Sequence, residues 1–264
     1  MLKELLNEWE KGKKYAQDIF ALSMGGHAIT PTSPLLDRET TKRLKQILES
    51  TFERKGAVIA YPFSFSGEWG DFLESLGFRT IRIDINQFQL QMQRVSHKSV
   101  SIAADADDMG NFLRNVDGVI TFEPSSLATY SRLWSLVSIG SMLQSVKEGG
   151  KIVIIQAFHP ERIEQLLKSL QLPHEVHKFS EFHIYVIPRK RSPEVQHVLM
   201  LARKILEGRF HELSEDDWKT LERIWQESPK QSFWDHAILT IRDTLRQLFS
   251  TPLRKLRLPK HQRL

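Results

Sequence analysis

Three acidic residues stand at strand ends: Asp84 at the end of one run that reads as a β-strand, and Asp105 and Glu123 just after two others. In an open α/β sheet, ligands bind outside the carboxyl ends of the strands, near the point where strand order reverses. The three tips would then converge on one edge. A carboxylate at the end of the second strand can accept hydrogen bonds from both hydroxyls of a ribose. Each charge-assisted bond of this kind contributes about 1.5–3 kcal/mol. The loop after the first strand, Tyr61-Pro62-Phe63-Ser64-Phe65-Ser66-Gly67, would face the same edge, and so would Glu123-Pro124-Ser125-Ser126. Cysteine is absent, which removes disulfides, Cys-ligated zinc, iron–sulfur clusters and thiol nucleophiles. His174, His177 and His183 fall on strand-like runs. His174 and His177 would point to opposite faces there, which argues against a shared metal.

The elements that position these side chains begin at about residue 56. Strand-like runs are expected at 57–61, 78–85, 99–104, 116–122 and 151–158, with 174–179 and 182–188 as a terminal pair joined by Ser180-Glu181. Helices are expected at 67–76, closed by Gly77, at 109–115, at 127–146, ended by Lys147-Glu148-Gly149-Gly150, and at 160–170 with Pro160 in the first turn. In 78–85, Phe78, Ile81, Ile83 and Ile85 alternate with Arg79, Arg82 and Asp84. Strand–helix alternation followed by a hairpin implies an α/β fold: a mostly parallel twisted sheet, an antiparallel carboxy-terminal hairpin and helices on both faces. Helical segments flank it. Residues 2–22 resemble an interrupted amphipathic helix, 23–34 form an uncharged loop containing Gly25-Gly26-His27, and 35–54 form a helix. Beyond Pro188, helices are expected at 194–206, from Ser214 to about 225 with Ser214 as N-cap, and at 233–249. The organisation expected is a helical extension at 1–55, the α/β domain at 56–188 and a helical extension with a basic tail at 189–264.

With 264 residues, 41% of them hydrophobic and 26% charged, the chain can bury a sizeable core. No apolar run approaches ~18 residues, and the first ten residues carry three Glu and no apolar core, so neither a transmembrane helix nor a secretory signal is expected. A cytoplasmic location follows as an expectation.

Residues 56–188 resemble the Rossmann-like S-adenosylmethionine-dependent methyltransferases. The resemblance rests on Val58-Ile59-Ala60 entering its loop, Ile81-Arg82-Ile83-Asp84-Ile85-Asn86, Ala104-Asp105-Ala106-Asp107, Val116-Asp117-Gly118-Val119-Ile120, and Val146-Lys147-Glu148-Gly149-Gly150-Lys151-Ile152-Val153-Ile154. It implies S-adenosylmethionine as cofactor. Asp84 would hold the ribose, Asp105 would face the adenine amino group, and Glu123 would line the methionine end or act as general base. It also sets Tyr61, Phe63, Gly67, Ile85, Ala106 and Pro124 along the cofactor. The first loop departs from the family pattern, since Pro62, Phe63, Ser64 and Phe65 stand where glycines let the backbone approach a ligand. The loop after the fourth strand keeps an acid and one proline of the motif with which amino-methylating members orient a target nitrogen.

The formal charge of +5 is uneven. Residues 188–264 hold 16 Lys and Arg against 10 Asp and Glu, whereas the remainder holds 21 against 22. A polyanionic partner, RNA or DNA, gripped by Arg254, Lys255, Arg257, Lys260 and Arg263 would explain the bias; so would a solvated helical surface. Two functions follow: a methyltransferase acting on a nucleic acid, or a noncatalytic module of the same fold that contacts nucleic acid.

Overall fold

The computed structural model describes residues 3, 6, 7, 9, 10, 14, 38–53, 55–64, 67–93, 99–122, 132–156, 160–179 and 182–227. The chain divides after Pro229, and the second part, 230–264, lies outside the described residues. So do the Gly25-Gly26-His27 loop, Ser180-Glu181 and the helix expected at 233–249.

Seven strands form one sheet in the order β3-β2-β1-β4-β5-β7-β6. They are β1 (Val58–Pro62), β2 (Arg79–Asp84), β3 (Ser99–Ala103), β4 (Val116–Phe122), β5 (Val146–Gln156), β6 (Glu175–Lys178) and β7 (His183–Pro188). Strands β1 to β5 pair in parallel, and β7 runs antiparallel to both β5 and β6. Strand order reverses between β1 and β4. This is the architecture that strand–helix alternation with a terminal hairpin implies.

Period-two alternation sorts the strand residues onto two apolar layers. Ala60, Val119, Ile152, Ile154, Tyr185 and Ile187 face one cluster, which holds buried residues of α5 (Arg132–Ser145), α6 (Pro160–Ser169), α7 (Pro193–Leu206) and α8 (Glu215–Glu227). Ile59, Tyr61, Ile120, Phe122, Val153, Ile155, Ile184 and Val186 face the other, with α1 (Arg38–Thr51) and α2 (Glu68–Ser75). Trp9 belongs to the first layer: it stacks on Trp134 of α5 at 4.6 Å and meets Phe210 edge-on at 6.1 Å. At the start of α8, Asp217 N–H donates to Ser214 Oγ (3.2 Å) and Ser214 N–H donates to Asp217 Oδ2 (2.8 Å), a reciprocal cap that places Ser214 as the sequence implies.

Two local expectations are corrected, and one helix appears where none was expected. Lys147-Glu148-Gly149-Gly150 is not a turn ending a helix, because β5 already begins at Val146. Its register against β4 jumps from Val116↔Val146 to Gly118↔Lys151, and the irregularity is held by Gly149 N–H to Arg189 O (2.9 Å) and Arg189 N–H to Gly150 O (2.8 Å). The helix expected at 109–115 is only α4 (Met109–Phe112), preceded by a 3-10 turn, Ala106–Asp108. Asn115, at φ 61, turns the chain into β4. Finally, α3 (Gln87–Met92) has no helical signature. Phe88, Leu90 and Met92 alternate with glutamines at the strand period, and the helix forms against β2 and β3 regardless.

Candidate functional site

The carboxyl ends of β1, β2 and β3 are tied into one lip. Ser64 N–H donates to Ile83 O (3.2 Å), and Ala104 N–H donates to Asp84 O (3.1 Å). With Asp84 opposite Ala103 in the ladder, Asp105 stands two residues beyond the partner of Asp84 on the neighbouring strand. Asp84 is buried, and its Oδ1 accepts from Asn86 N–H (2.8 Å). Ile85, half-buried, sits in the bend between them. Asp105 caps the 3-10 turn, its Oδ1 accepting from Asp107 N–H (2.9 Å), and Ala106 is buried beneath it.

Asp107 is a member of this group that strand-tip reasoning passes over. Its carboxylate accepts from the Ser138 hydroxyl of α5. Desolvation, and then the Asp105 charge, lifts the Asp107 carboxyl well above the ordinary range. Desolvation also raises Asp105, with Asp108 adding to it against the hydrogen bond from the Asp107 amide. Only the run Asp105-Ala106-Asp107-Asp108 could have signalled it; the Ser138 contact comes from a helix thirty-one residues away.

The β1 loop is built around a buried Ser64. Gln93 Nε2 donates to Ser64 Oγ (3.0 Å), and Gly67 N–H donates to Ser64 O (2.9 Å). Phe63 takes a left-handed backbone, φ 57, where glycine is the ordinary choice, and packs half-buried against the first apolar cluster. Gly67 begins α2 at φ 82, and a Cβ there would lie 2.8 Å from Gln93 Cγ and 2.9 Å from Arg82 Nη1. Gly70, one turn on, has Arg82 Nε 2.7 Å from where its Cβ would be. Arg82, on the polar side of the expected alternation, is in fact 0% exposed. Its Nη2 donates to Asp71 Oδ1 and Glu74 Oε1, both at 2.7 Å, and Thr80 Oγ1 donates to the same Glu74 oxygen (2.5 Å). Burial disfavours the Arg82 charge, but the bonds to Asp71 and Glu74 outweigh it and raise its pKa. The glycines of α2 therefore admit a guanidinium.

Tyr61 lies in the core below the lip. It is 1% exposed and edge-on to Phe122 at 5.8 Å, while Trp69 stacks on the same Phe122 at 3.9 Å. Burial and the Asp84 charge hold its phenol far above its usual pKa. The structure thus gathers Phe63, Gly67, Asp84, Ile85, Asp105 and Ala106 at the ends of three adjacent strands and sets Tyr61 beneath them. Glu123 and Pro124 lie outside the described residues, as do Arg254, Lys255, Arg257, Lys260 and Arg263.

Farther along the same edge, His183 pairs with Gln156 at the end of β5. Its Nδ1 is 3.2 Å from the Tyr185 hydroxyl, which donates to Pro160 O (2.5 Å). Because that hydroxyl proton is directed to Pro160, His183 Nδ1 is the donor to Tyr185 Oη. Burial and the Lys178 charge lower the His183 pKa, against Glu164 and Glu161. His174 instead bonds Leu172 O (2.8 Å) and His177 faces Glu175 (3.2 Å). Among the described residues no group of three His, Cys, Asp or Glu side chains could hold a metal ion, and no helix is long and apolar enough to cross a membrane.

No protein-family model matches the sequence, and no curated protein matches it. Solved structures do resemble it. The 1,6-didemethyltoxoflavin-N1-methyltransferase of Burkholderia thailandensis, solved with 1,6-didemethyltoxoflavin and S-adenosylhomocysteine, superposes at a TM-score of 0.50 with 12% identity, over 69% of this chain and 89% of that one. The N-methyltransferase NodS of Bradyrhizobium japonicum, in complex with S-adenosylhomocysteine, gives 0.48 and 14% over 66% and 99%. The precorrin-6y C5,15-methyltransferase of Geobacter metallireducens gives 0.45 and 14% over 60% and 92%. With the strand order above, the first of these likenesses identifies the fold: this chain has the seven-stranded, Rossmann-like fold found in S-adenosylmethionine-dependent methyltransferases.

Proposed function

We propose that the chain is an S-adenosylmethionine-dependent methyltransferase that holds its cofactor across the carboxyl ends of β1 to β4. The observation that carries the reading is the joining of Asp84 and Asp105 at the tips of adjacent strands β2 and β3, on the carboxyl edge that leads through β1 to the point where strand order reverses. Asp84 accepts from the ribose hydroxyls and Asp105 from the adenine amino group. The donor set suits the group, since acidic acceptors meet hydroxyl and amino donors and a cationic sulfonium. The left-handed backbone at Phe63 supplies the turn that glycine supplies elsewhere. When bound, the cofactor supplies an electrophilic methyl group. The chain's own part is to hold the acceptor in line with it, which is a matter of positioning. Glu123 serves as general base or as a further cofactor contact. The acceptor is a nucleic acid, a choice supported by the basic excess of residues 188–264.

Calorimetric titration with S-adenosylhomocysteine tests this. Micromolar binding is expected, weakened at least tenfold in Asp84→Ala, because losing even one charge-assisted bond is worth about 1.5–3 kcal/mol. Absence of binding by the wild-type chain overturns it. A second reading, the noncatalytic module, rests on the β1 loop, where Pro62, Phe63, Ser64 and Phe65 stand in place of the glycines that let a backbone approach a cofactor. Salt-sensitive nucleic-acid binding without S-adenosylhomocysteine binding would select it.

A further inference from the structure

The opposite, amino edge of the sheet carries charge of the other sign. This edge holds Lys55 (before β1), Arg79 (first residue of β2), Arg114 (before β4), Lys151 (where the β5 ladder resumes after its irregular start, opposite the last residue of β7), and Lys190 and Arg191 (just after antiparallel β7). The ladders fix their order, with Val58 opposite Arg79, Val116 opposite Val146, and Lys151 opposite Pro188. Across β2-β1-β4-β5-β7, at about 4.8 Å per strand, the row spans about 19 Å. Lys55, Arg79, Arg114, Lys190 and Arg191 are exposed, and Lys151 is half-exposed.

The acids along this edge offset only part of the row, with Arg191 the one row member held in an ion pair among the described residues. Asp117 is taken by Lys147 and by Val58 N–H (2.7 Å), and Glu148 faces Arg191 at 2.8 Å. Glu53 and Glu194 remain at its margins. Helix carboxyl ends also gather here and attract cations, and Arg189 serves one of them, its Nε donating to Leu143 O of α5 (3.0 Å). That explanation does not extend to Lys55, Arg79, Lys151 and Lys190, which have no side-chain partner among the described residues. Two residues before Arg114 in the chain stands Phe112, 43% exposed.

We propose that this edge is a docking surface for the phosphate backbone of a nucleic acid, with Phe112 placed to stack on a base. It lies at the opposite end of the strands from the cofactor edge and uses none of the residues of the basic tail. A linear row of cations at strand spacing meets a linear polyanion through counterion release and needs no base-specific contact. The proposal goes beyond the methyltransferase reading and holds whether or not the chain methylates.

The test uses the full chain and fluorescein-labelled single-stranded RNA and duplex DNA, with anisotropy followed across a potassium chloride series. Wild type is expected to bind both with an affinity that falls steeply with salt. Arg79→Glu/Arg114→Glu/Lys151→Glu/Lys190→Glu should lose at least tenfold in affinity at fixed salt and flatten the log–log slope by about 0.7–0.9 for each phosphate contact removed. The Gln versions give a smaller loss of the same kind and guard against misfolding, which the melting temperature monitors. Phe112→Ala should weaken single-stranded RNA more than duplex DNA. Each of the following overturns the proposal: no nucleic-acid binding at low salt, binding unchanged in both the Glu and Gln variants, or binding of phosphatidylserine vesicles in place of nucleic acid. Loss confined to Ala variants of Arg254, Lys255, Arg257 and Lys260 would do so as well. S-adenosylhomocysteine titration of the same variants should match wild type, so failure of that binding counts against the methyltransferase alone.

Discussion

Asp105 and Asp107 sit within one turn of each other, both lifted above the ordinary carboxylate range, chiefly by desolvation. Between the ordinary value near 3.8 and the raised one, the folded chain keeps protons that the unfolded chain releases. Stability therefore falls as pH rises through that window and stays lower above it. Asp107→Asn, which keeps an acceptor for Ser138, should raise the melting temperature at neutral pH, by about 2–4 °C for each kcal/mol regained, and should converge with wild type in strong acid; thermal scans against pH check this. His183 behaves in the opposite sense. Its ring should titrate below the usual 6.5 in an NMR pH series, and Lys178→Gln should move the midpoint up by removing a charge that opposes protonation. At this scale the sequence was informative where chemistry is local. Asp84 ends one recognisable strand and Asp105 follows another, and Ser214 caps as its neighbours imply. The setting of Gly67 was not legible, because what forbids a side chain there is Arg82 and Gln93, brought in by folding.

Arg82 joins β2 to α2 as one unit. Removing it leaves Glu74, 8% exposed, without its cation inside the core. Arg82→Leu should cost about 3–5 kcal/mol in chemical denaturation, and adding Glu74→Leu should recover much of that, since two apolar groups do not leave a buried charge. The alternation of β2 invites an exposed Arg82, yet both faces of a central parallel strand are covered, so a charge there must find partners or be absent. Element types proved more legible than element edges. The buried runs of β1, β4 and β7 and the capped start of α8 carry strong local signals. The start of β5 does not: Gly149-Gly150 reads as a break, and only its bonds to Arg189 make it an irregular strand. For α3, docking on β2 and β3 overrides a strand-like pattern.

The whole sheet was readable from the succession of strands and helices, because right-handed parallel crossovers leave few other arrangements. Which strand ends up unprotected is less obvious. β3 closes one side of the sheet, and Val100 on it is 59% exposed. Val100→Lys should reduce light scattering on heating while changing stability by no more than about 0.5 kcal/mol. The interior position of β1 has a consequence for biosynthesis. Its partners on the two sides are made at different times: Val58 meets Arg79 soon after both emerge, but Ile59 must wait for Gly118, fifty-nine residues later. At about 5–20 residues per second, one flank of this interior strand stays open on the ribosome for about 3–12 s. A nascent chain stalled before residue 118 should therefore be far more readily cut by protease, and more readily held by chaperones, than one stalled after the same strand has been released.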